Sequence, residues 1–255
     1  MASFRGPRGL GVVLVLAGLS APAVMASAQA KFAKNLSGQN LAGSSFAERD
    51  IRRHDFTGAN PQGAIFTKAR GEGSEFRGAD MRGAILRGFV CPGCVFYGAS
   101  MQKATFEDAD LKRASFYGAT LAVPQEIPSQ AAPCRLHRAL LDGANFEGAN
   151  LHSCSFFRAK LPGARLYGAD LTHADLMETD LRGANLYGAR MGRVVLHMSD
   201  LRGASLKGAD LRGASLCGAK IDASTNFTGV HVDAKTRCAE CIRSGPVHGS
   251  GERTC

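Results

Sequence analysis

A unit of five residues, Ala–Asp/Asn–Leu–x–Gly, recurs through most of this 255-residue chain and limits what the chain can become. It is plain in Ala169-Asp170-Leu171, Ala174-Asp175-Leu176, Ala184-Asn185-Leu186-Tyr187-Gly188 and Ala209-Asp210-Leu211-Arg212-Gly213. An α-helix turns about 100° per residue, so its leucines would drift about 140° with each unit and face every direction. A continuous strand alternates faces with period two, so an odd repeat would throw successive leucines to opposite sides. A chain that runs straight for three residues and then turns keeps them together. Ala and Leu, two apart, both point inward from the straight segment, and the next two residues make the corner.

Glycine usage agrees. Of 31 glycines, 21 stand at the fifth position, among them Gly78, Gly83, Gly168, Gly203 and Gly213. A corner residue with positive φ favours glycine, as in a type II turn. Asp80, Asp110, Asn150 and Asp180 stand beside the inward large residue, pointing outward, where they can bond nearby backbone. A straight side and a corner, repeated, give a polygonal solenoid. These residues resemble the pentapeptide-repeat family. The resemblance covers roughly residues 34–223 and implies an all-β fold, a right-handed quadrilateral β-helix with 20 residues per coil and about nine coils. It implies almost nothing about function.

The register divides the chain. Residues 31–53 read as an N-terminal cap with ragged first repeats, in which Arg49 and His54 would point inward. A first block spans 54–123 and a second 134–223. Between them Pro124, Pro128 and Pro133 mark residues 124–133 as a loop insertion. Residues 224–255 read as a C-terminal cap and cysteine-containing tail, with Phe227, Val230 and Val232 available to cover the end. The tyrosines bear on the loop. Tyr97, Tyr117, Tyr167 and Tyr187 each follow an inward residue. If ten residues loop out, all four share one face with Glu147 between them. If the insert stays in the coil, the two pairs fall on opposite faces. The looped arrangement is the expectation. Phe46, Phe56, Phe66, Phe76, Phe96, Phe106, Phe116, Phe146 and Phe156 take the inward position in alternate repeats. This predicts two opposed stacks of core, not a ligand box. Pro61, Gly71 and Cys91 replace the large inward residue, and Phe89 replaces the small one, which predicts weak points.

Residues 1–30 read as a secretory signal peptide, with Arg5 and Arg8, the apolar run Leu10 to Ala17, and cleavage after Ala28 or Ala30. The run is too short for a comfortable membrane span. The expected location is therefore secreted or periplasmic, with no transmembrane segment after cleavage. Without the leader the chain has 29 basic against 22 acidic residues. Much of the excess stands outward, and Arg182 and Arg202 stack on neighbouring coils. This reads either as solvated ladders of mixed sign or as a basic face for an anionic surface. Some relatives in the resembled family mimic duplex DNA and protect type II topoisomerases, a role that asks for an acidic cytoplasmic rod. The basic, exported character argues against it and against DNA as a partner.

Eight cysteines, an even number in an exported chain, make disulfides plausible. Two pairs have CxxC spacing, Cys91 with Cys94 and Cys238 with Cys241. Cys134 and Cys154 are 20 apart at inward positions, about 4.8 Å apart on adjacent coils, within reach of a bond or simply packed as small core residues. Cys217 points outward and reads as free. The CxxC pairs admit three readings: structural disulfides, a zinc site, or a thiol-redox site at Cys91 and Cys94. Zinc ribbons keep their pairs closer in sequence, and redox pairs sit at a helix N-terminus that this pattern lacks. The seven His are scattered, and no Ser/His/Asp arrangement, P-loop or paired acid site emerges. The sequence therefore points to a non-enzymatic, cofactor-free binding scaffold with an unnamed macromolecular partner, an anionic envelope component or a protein, and no small-molecule substrate. Its candidate face comprises Tyr97, Tyr117, Tyr167, Tyr187, Arg182 and Arg202.

Overall fold

The five-residue unit folds as a straight side and a corner in the computed structural model, which describes residues 33–122, 134–238 and 253–254. The expected leader at 1–30, the loop at 124–133, Cys241 and Cys255 lie outside these residues. Each side meets the next coil through one outward residue, because three extended residues are too few for a longer ladder. Asn35 bridges Asp55, Asn40 bridges Asn60, Ser45 bridges Ile65 and Asp50 bridges Arg70, all in parallel. Four sides thus close a coil of 20 residues. Backbone bonds join the coils, as where Leu36 N–H donates to Asp55 O at 2.7 Å and Gly38 N–H to Thr57 O at 2.9 Å. A further bond closes each corner, as from Ala59 N–H to Phe56 O at 3.0 Å around Gly58, whose φ is 63°. Nine successive bridges lead from Asn35 to Asn226 along one side, a rod about 43 Å long at about 4.8 Å per coil.

Bridge spacing jumps in the middle of the ladder. Ser100 pairs with Thr120, but Thr105 pairs with Arg135, Asp110 with Leu140, Ser115 with Asn145 and Thr120 with Asn150; Arg135 then pairs with Ser155. Ten residues leave the ladder and the stack resumes in phase.

At both ends the ladder departs from the sequence expectation. The first repeats are in register from Asn35, not ragged to Arg53. Leu36, Leu41, Phe46 and Ile51 fill their centres and are buried. Arg49 stays half-exposed in this first coil. His54 is tolerated inside because its ring Nδ1 lies 3.2 Å from Arg52 O, and its backbone N–H donates to Ser74 Oγ at 3.2 Å. The ladder also continues past Ala223: Ser205 pairs with Asn226, Asp210 with His231 and Ser215 with Arg237. These spacings exceed 20 because two corners carry an extra residue, Asp222-Ala223-Ser224-Thr225 and Asp233-Ala234-Lys235-Thr236. In the first, Asp222 N–H donates to Thr225 Oγ1 at 3.0 Å while that hydroxyl donates to Leu201 O at 3.0 Å. In the second, Asp233 and Thr236 repeat the pattern onto Leu211 O at 3.1 Å. Phe227, Val230 and Val232 are half-buried over the end of the core. A short strand β1 (Lys220–Ile221) pairs antiparallel with β2 (Arg253–Thr254).

From Phe46 to Phe156 the interior holds two sets of aromatic rings that interlock, and leucines fill the later coils. Phe56, Phe76, Phe96, Phe116 and Phe146 stack with ring centroids 4.6–5.0 Å apart. Phe46 and Phe66 stack on the opposed side and meet this column edge to face at 5.5–5.9 Å, a favoured aromatic geometry. The irregular positions compensate one another. Phe89 turns its ring into the space left by Gly71 and Cys91: a Cβ added at Gly71 would stand 2.6 Å from Phe89 Cζ and 2.9 Å from Cys91 Sγ. The predicted weak point is therefore a packed exchange of large and small residues.

Candidate binding face

Each coil returns a given outward position to the same column, so chemistry on this rod is arranged in rows. The tyrosine row lies on one side. Tyr97 and Tyr117 stack at 5.5 Å with rings 4° apart, and Tyr167 and Tyr187 at 5.3 Å and 7°. Glu147 stands between the pairs: Gly118 N–H donates to Glu147 O and Gly148 N–H to Tyr167 O, each at 3.1 Å. Arg165 closes on the Glu147 carboxylate at 2.6 Å. All four tyrosines are 40–50% exposed. Lys207 continues the row, its Nζ 5.8 Å from the Tyr187 ring.

Arg182 and Arg202 are not part of that row. Five residues make one side, so they fall on the side before it, and the candidate face splits over two neighbouring sides. Nor is theirs a bare basic surface. Arg182 grips Asp180 through Nε and Nη2 at 2.8 and 2.7 Å, and Arg202 grips Asp200 at 2.8 and 2.6 Å. Asp50 with Arg52, Asp80 with Arg82 and Asp210 with Arg212 repeat the motif. The aspartate at the second position of a unit and arginine at the fourth share the outer surface two residues apart, so the forked guanidinium meets the carboxylate. Hydrogen bonding to the arginine pulls the carboxyls of Asp80, Asp180, Asp200 and Asp210 below their usual range, with desolvation opposing. The outward arginines form mixed-sign ladders.

The cysteines pair along and within coils. Cys91 and Cys94 are bonded, with Cα atoms 5.5 Å apart, and both are fully buried against Gly71 O. Cys134 and Cys154 are bonded across adjacent coils, Cα atoms 4.9 Å apart. The third pair corrects the sequence expectation. Cys238 bonds Cys217, not Cys241, and Cys217 is not free. The extra residues in the last coils carry Cys238 up over Cys217, 21 residues earlier, with Cα atoms 5.2 Å apart. All six described cysteines are bonded.

One cluster was invisible in the sequence. His137 Nε2 lies 2.9 Å from Ser155 Oγ, and that hydroxyl donates to Asp175 Oδ2 at 3.1 Å. The three residues sit on successive coils beyond the ten-residue jump, Ser155 in the same column as Asp175 and His137 reaching Ser155 diagonally from 18 residues earlier. Hydrolytic triads place histidine in the middle, between the nucleophile and the orienting carboxylate. Here serine is in the middle, so no base is oriented to activate it. His152 and His173 approach edge to face at 5.4 Å, and burial followed by the His152 charge pushes His173 below its ordinary pKa. Among the described residues no group of three or more His, Cys, Asp or Glu is placed to hold a metal ion, and no helix is long and apolar enough to cross a membrane.

Stacked parallel coils with a filled core and ordered outward rows define a right-handed four-sided β-solenoid. The chain belongs to the pentapeptide-repeat family: the family model for pentapeptide repeats matches in eight copies over residues 50–88, 92–122, 134–172, 159–197 and 199–231. No curated protein matches the chain. Solved structures similar to it include HetL, a pentapeptide repeat protein involved in heterocyst differentiation regulation from the cyanobacterium Nostoc sp. strain PCC 7120, at 23% identity over 86% of this chain and 95% of that one, TM-score 0.43. QnrB1, a plasmid-mediated fluoroquinolone resistance protein, is 17% identical over 80% and 97%, TM-score 0.36. Rfr23 from the cyanobacterium Cyanothece 51142 is 26% identical over 58% and 90%, TM-score 0.22.

Proposed function

We propose that this chain is an exported, non-enzymatic scaffold that presents ordered rows of side chains to a macromolecular partner. The observation that carries the reading is the repetition of outward chemistry in register, Asp–Arg forks on some sides and tyrosines on another. A repeating surface engages an extended partner at many weak points, whereas catalysis needs a few groups converging on one. Export rests on the leader-like residues 1–30 and agrees with three disulfides among the described residues. The thiol-redox alternative needs an accessible, activated thiol; Cys91 and Cys94 are fully buried. A topoisomerase-protecting DNA mimic asks for an acidic rod, and this chain has a net charge of +9.

Two measurements test the proposal. Intact mass of the chain isolated natively under alkylating trap should begin at Gln29 or Lys31, with the described thiols blocked as disulfides; a retained leader and free thiols would refute export. Insulin reduction with glutathione should be absent in the wild type; turnover that disappears in Cys91→Ser would replace the scaffold by a redox enzyme.

A further inference from the structure

The tyrosine side differs from the other three in two respects that the fold does not require. Its corner column is glycine throughout, ten times from Gly38 to Gly229. Elsewhere among the described residues fourteen non-glycine residues take positive φ, including Arg53, Arg113 and Arg193, so the corner conformation alone does not demand glycine. Crowding does not demand it either, since a Cβ on any of the ten meets nothing within 4 Å. This side also carries few charged residues. Between Val95 and Gly188 its outward residues are Tyr, Asn, Ser, Val and Gly, except for Glu147 and Arg165, which neutralise each other at 2.6 Å. The opposite side over the same coils carries Glu107, Asp108, Arg135, Arg138, Arg158, Asp175 and Glu178. The row is also symmetric about Glu147: Arg77, Tyr97 and Tyr117 precede it, and Tyr167, Tyr187 and Lys207 follow.

We propose that the Tyr97–Tyr187 row and its glycine corner form a binding strip for a linear, uncharged β-linked polysaccharide lying along the rod axis. The inference rests on the binding-scaffold reading and names the partner class of one side. Shape excludes the other occupants first. The strip is about 10 Å wide and, over the tyrosine coils, about 25 Å long, far below the roughly 800 Å² per partner of a stable protein dimer. A peptide strand cannot extend the ladder, because the backbone is already used between coils, as from Phe96 N–H to Ser115 O at 2.7 Å and Gly98 N–H to Tyr117 O at 3.0 Å. A nucleic acid needs many uncompensated cations, and the paired Arg165 supplies none.

What remains matches a glycan. The tyrosines stack in two pairs on either side of the Glu147 coil and stay 40–50% exposed, an apolar strip that also carries hydroxyls. Tyrosine offers rigid amphipathic area at low entropic cost, and Ser115, Asn145 and Asn185 beside it offer adaptable donors and acceptors. The period repeats once per coil, as sugar units repeat along a chain. The side-chain-free corner lets a flat ribbon lie close against the backbone.

Native electrophoresis toward the cathode through gels with and without hydroxyethylcellulose, and through gels with carboxymethylcellulose, tests this on the full mature chain. The wild type should be retarded by the neutral polymer, and the retardation should survive added salt. Tyr117→Ala combined with Tyr167→Ala should weaken it about tenfold or more. Gly148→Arg should abolish it, while Gly163→Arg, on another corner with equally open space, should not; circular dichroism of both variants checks that the coil persists. No retardation by hydroxyethylcellulose or by an equivalent chitin derivative would overturn the inference. Retardation by the anionic polymer alone, lost in salt and in Arg182→Ala with Arg202→Ala, would also overturn it while leaving the scaffold reading in place.

Discussion

Replacing Gly71 by alanine adds one methyl group, and the structure says where it would go. Gly71 does not take positive φ, so alanine is conformationally acceptable and by itself would stabilise by about 0.4–1 kcal/mol through the unfolded state. The new Cβ, however, would lie 2.6 and 2.8 Å from Phe89 Cζ and Cε2 and 2.9 Å from Cys91 Sγ. Neither neighbour is a flexible tip. The Phe89 ring is enclosed by Phe66 and Phe76 at 5.7 and 6.3 Å, and Cys91 is tied to Cys94. Overpacking of this kind costs about 1–3 kcal/mol, so the clash wins and Gly71→Ala should destabilise by about 1–2 kcal/mol net. Phe89→Ala alone should cost about 3–5 kcal/mol by opening a cavity. In the double variant the methyl group enters that cavity, so the Gly71→Ala penalty should vanish or change sign. Urea unfolding followed by circular dichroism, with constant slope as the check on two-state behaviour, measures the cycle. If Gly71→Ala costs the same with and without the Phe89 ring, the reasoning that these irregular residues compensate one another is wrong.

The remaining expectations concern charge, cross-links and the lengthened corners. Asp80, Asp180, Asp200 and Asp210 have carboxyl pKa values lowered chiefly by their arginine hydrogen bonds, so their contribution is complete above the unfolded value of about 3.9 and is lost as pH falls through the folded values; thermal midpoints should be level from neutrality to about pH 5 on this account and drop below about pH 4, less steeply at high salt. Cys134→Ser, which frees a 20-residue loop, should destabilise by about 2–4 kcal/mol without reductant and far less in dithiothreitol, while peptide mapping of the wild type should recover Cys217 linked to Cys238. Thr225→Val should cost about 1–3 kcal/mol, because Leu201 O and Asp222 N–H lose their shared hydroxyl; an unchanged midpoint would show that the corner does not depend on it.

The fold was legible because a period of five leaves few backbones open, and the inward Leu and Phe positions follow from it without further information. What escaped has identifiable causes. The last coils were hidden because one added residue at Thr225 and another at Thr236 break the period, though Asp–Ala–x–Thr written twice eleven residues apart was a signal. The same shift hid the Cys217–Cys238 bond, since a search for 20-residue spacing or CxxC passes over a separation of 21. The His137–Ser155–Asp175 contact joins the fourth position of one unit to the second position of another 18 residues on, a diagonal that stacking residues 20 apart does not show. The tyrosine row needed only column arithmetic, whereas the neutralisation of Arg182 and Arg202 needed side-chain geometry.

The jump of bridge spacing from 20 to 30 residues that begins at Thr105 and Arg135 has a consequence for engineering. A solenoid that resumes in phase after a ten-residue departure separates the choice of what is displayed from the choice of where. Foreign segments spliced at corners on chosen coils would emerge along one line at multiples of about 4.8 Å, which makes the rod a graduated scale on which epitopes or enzymes can be set at known intervals.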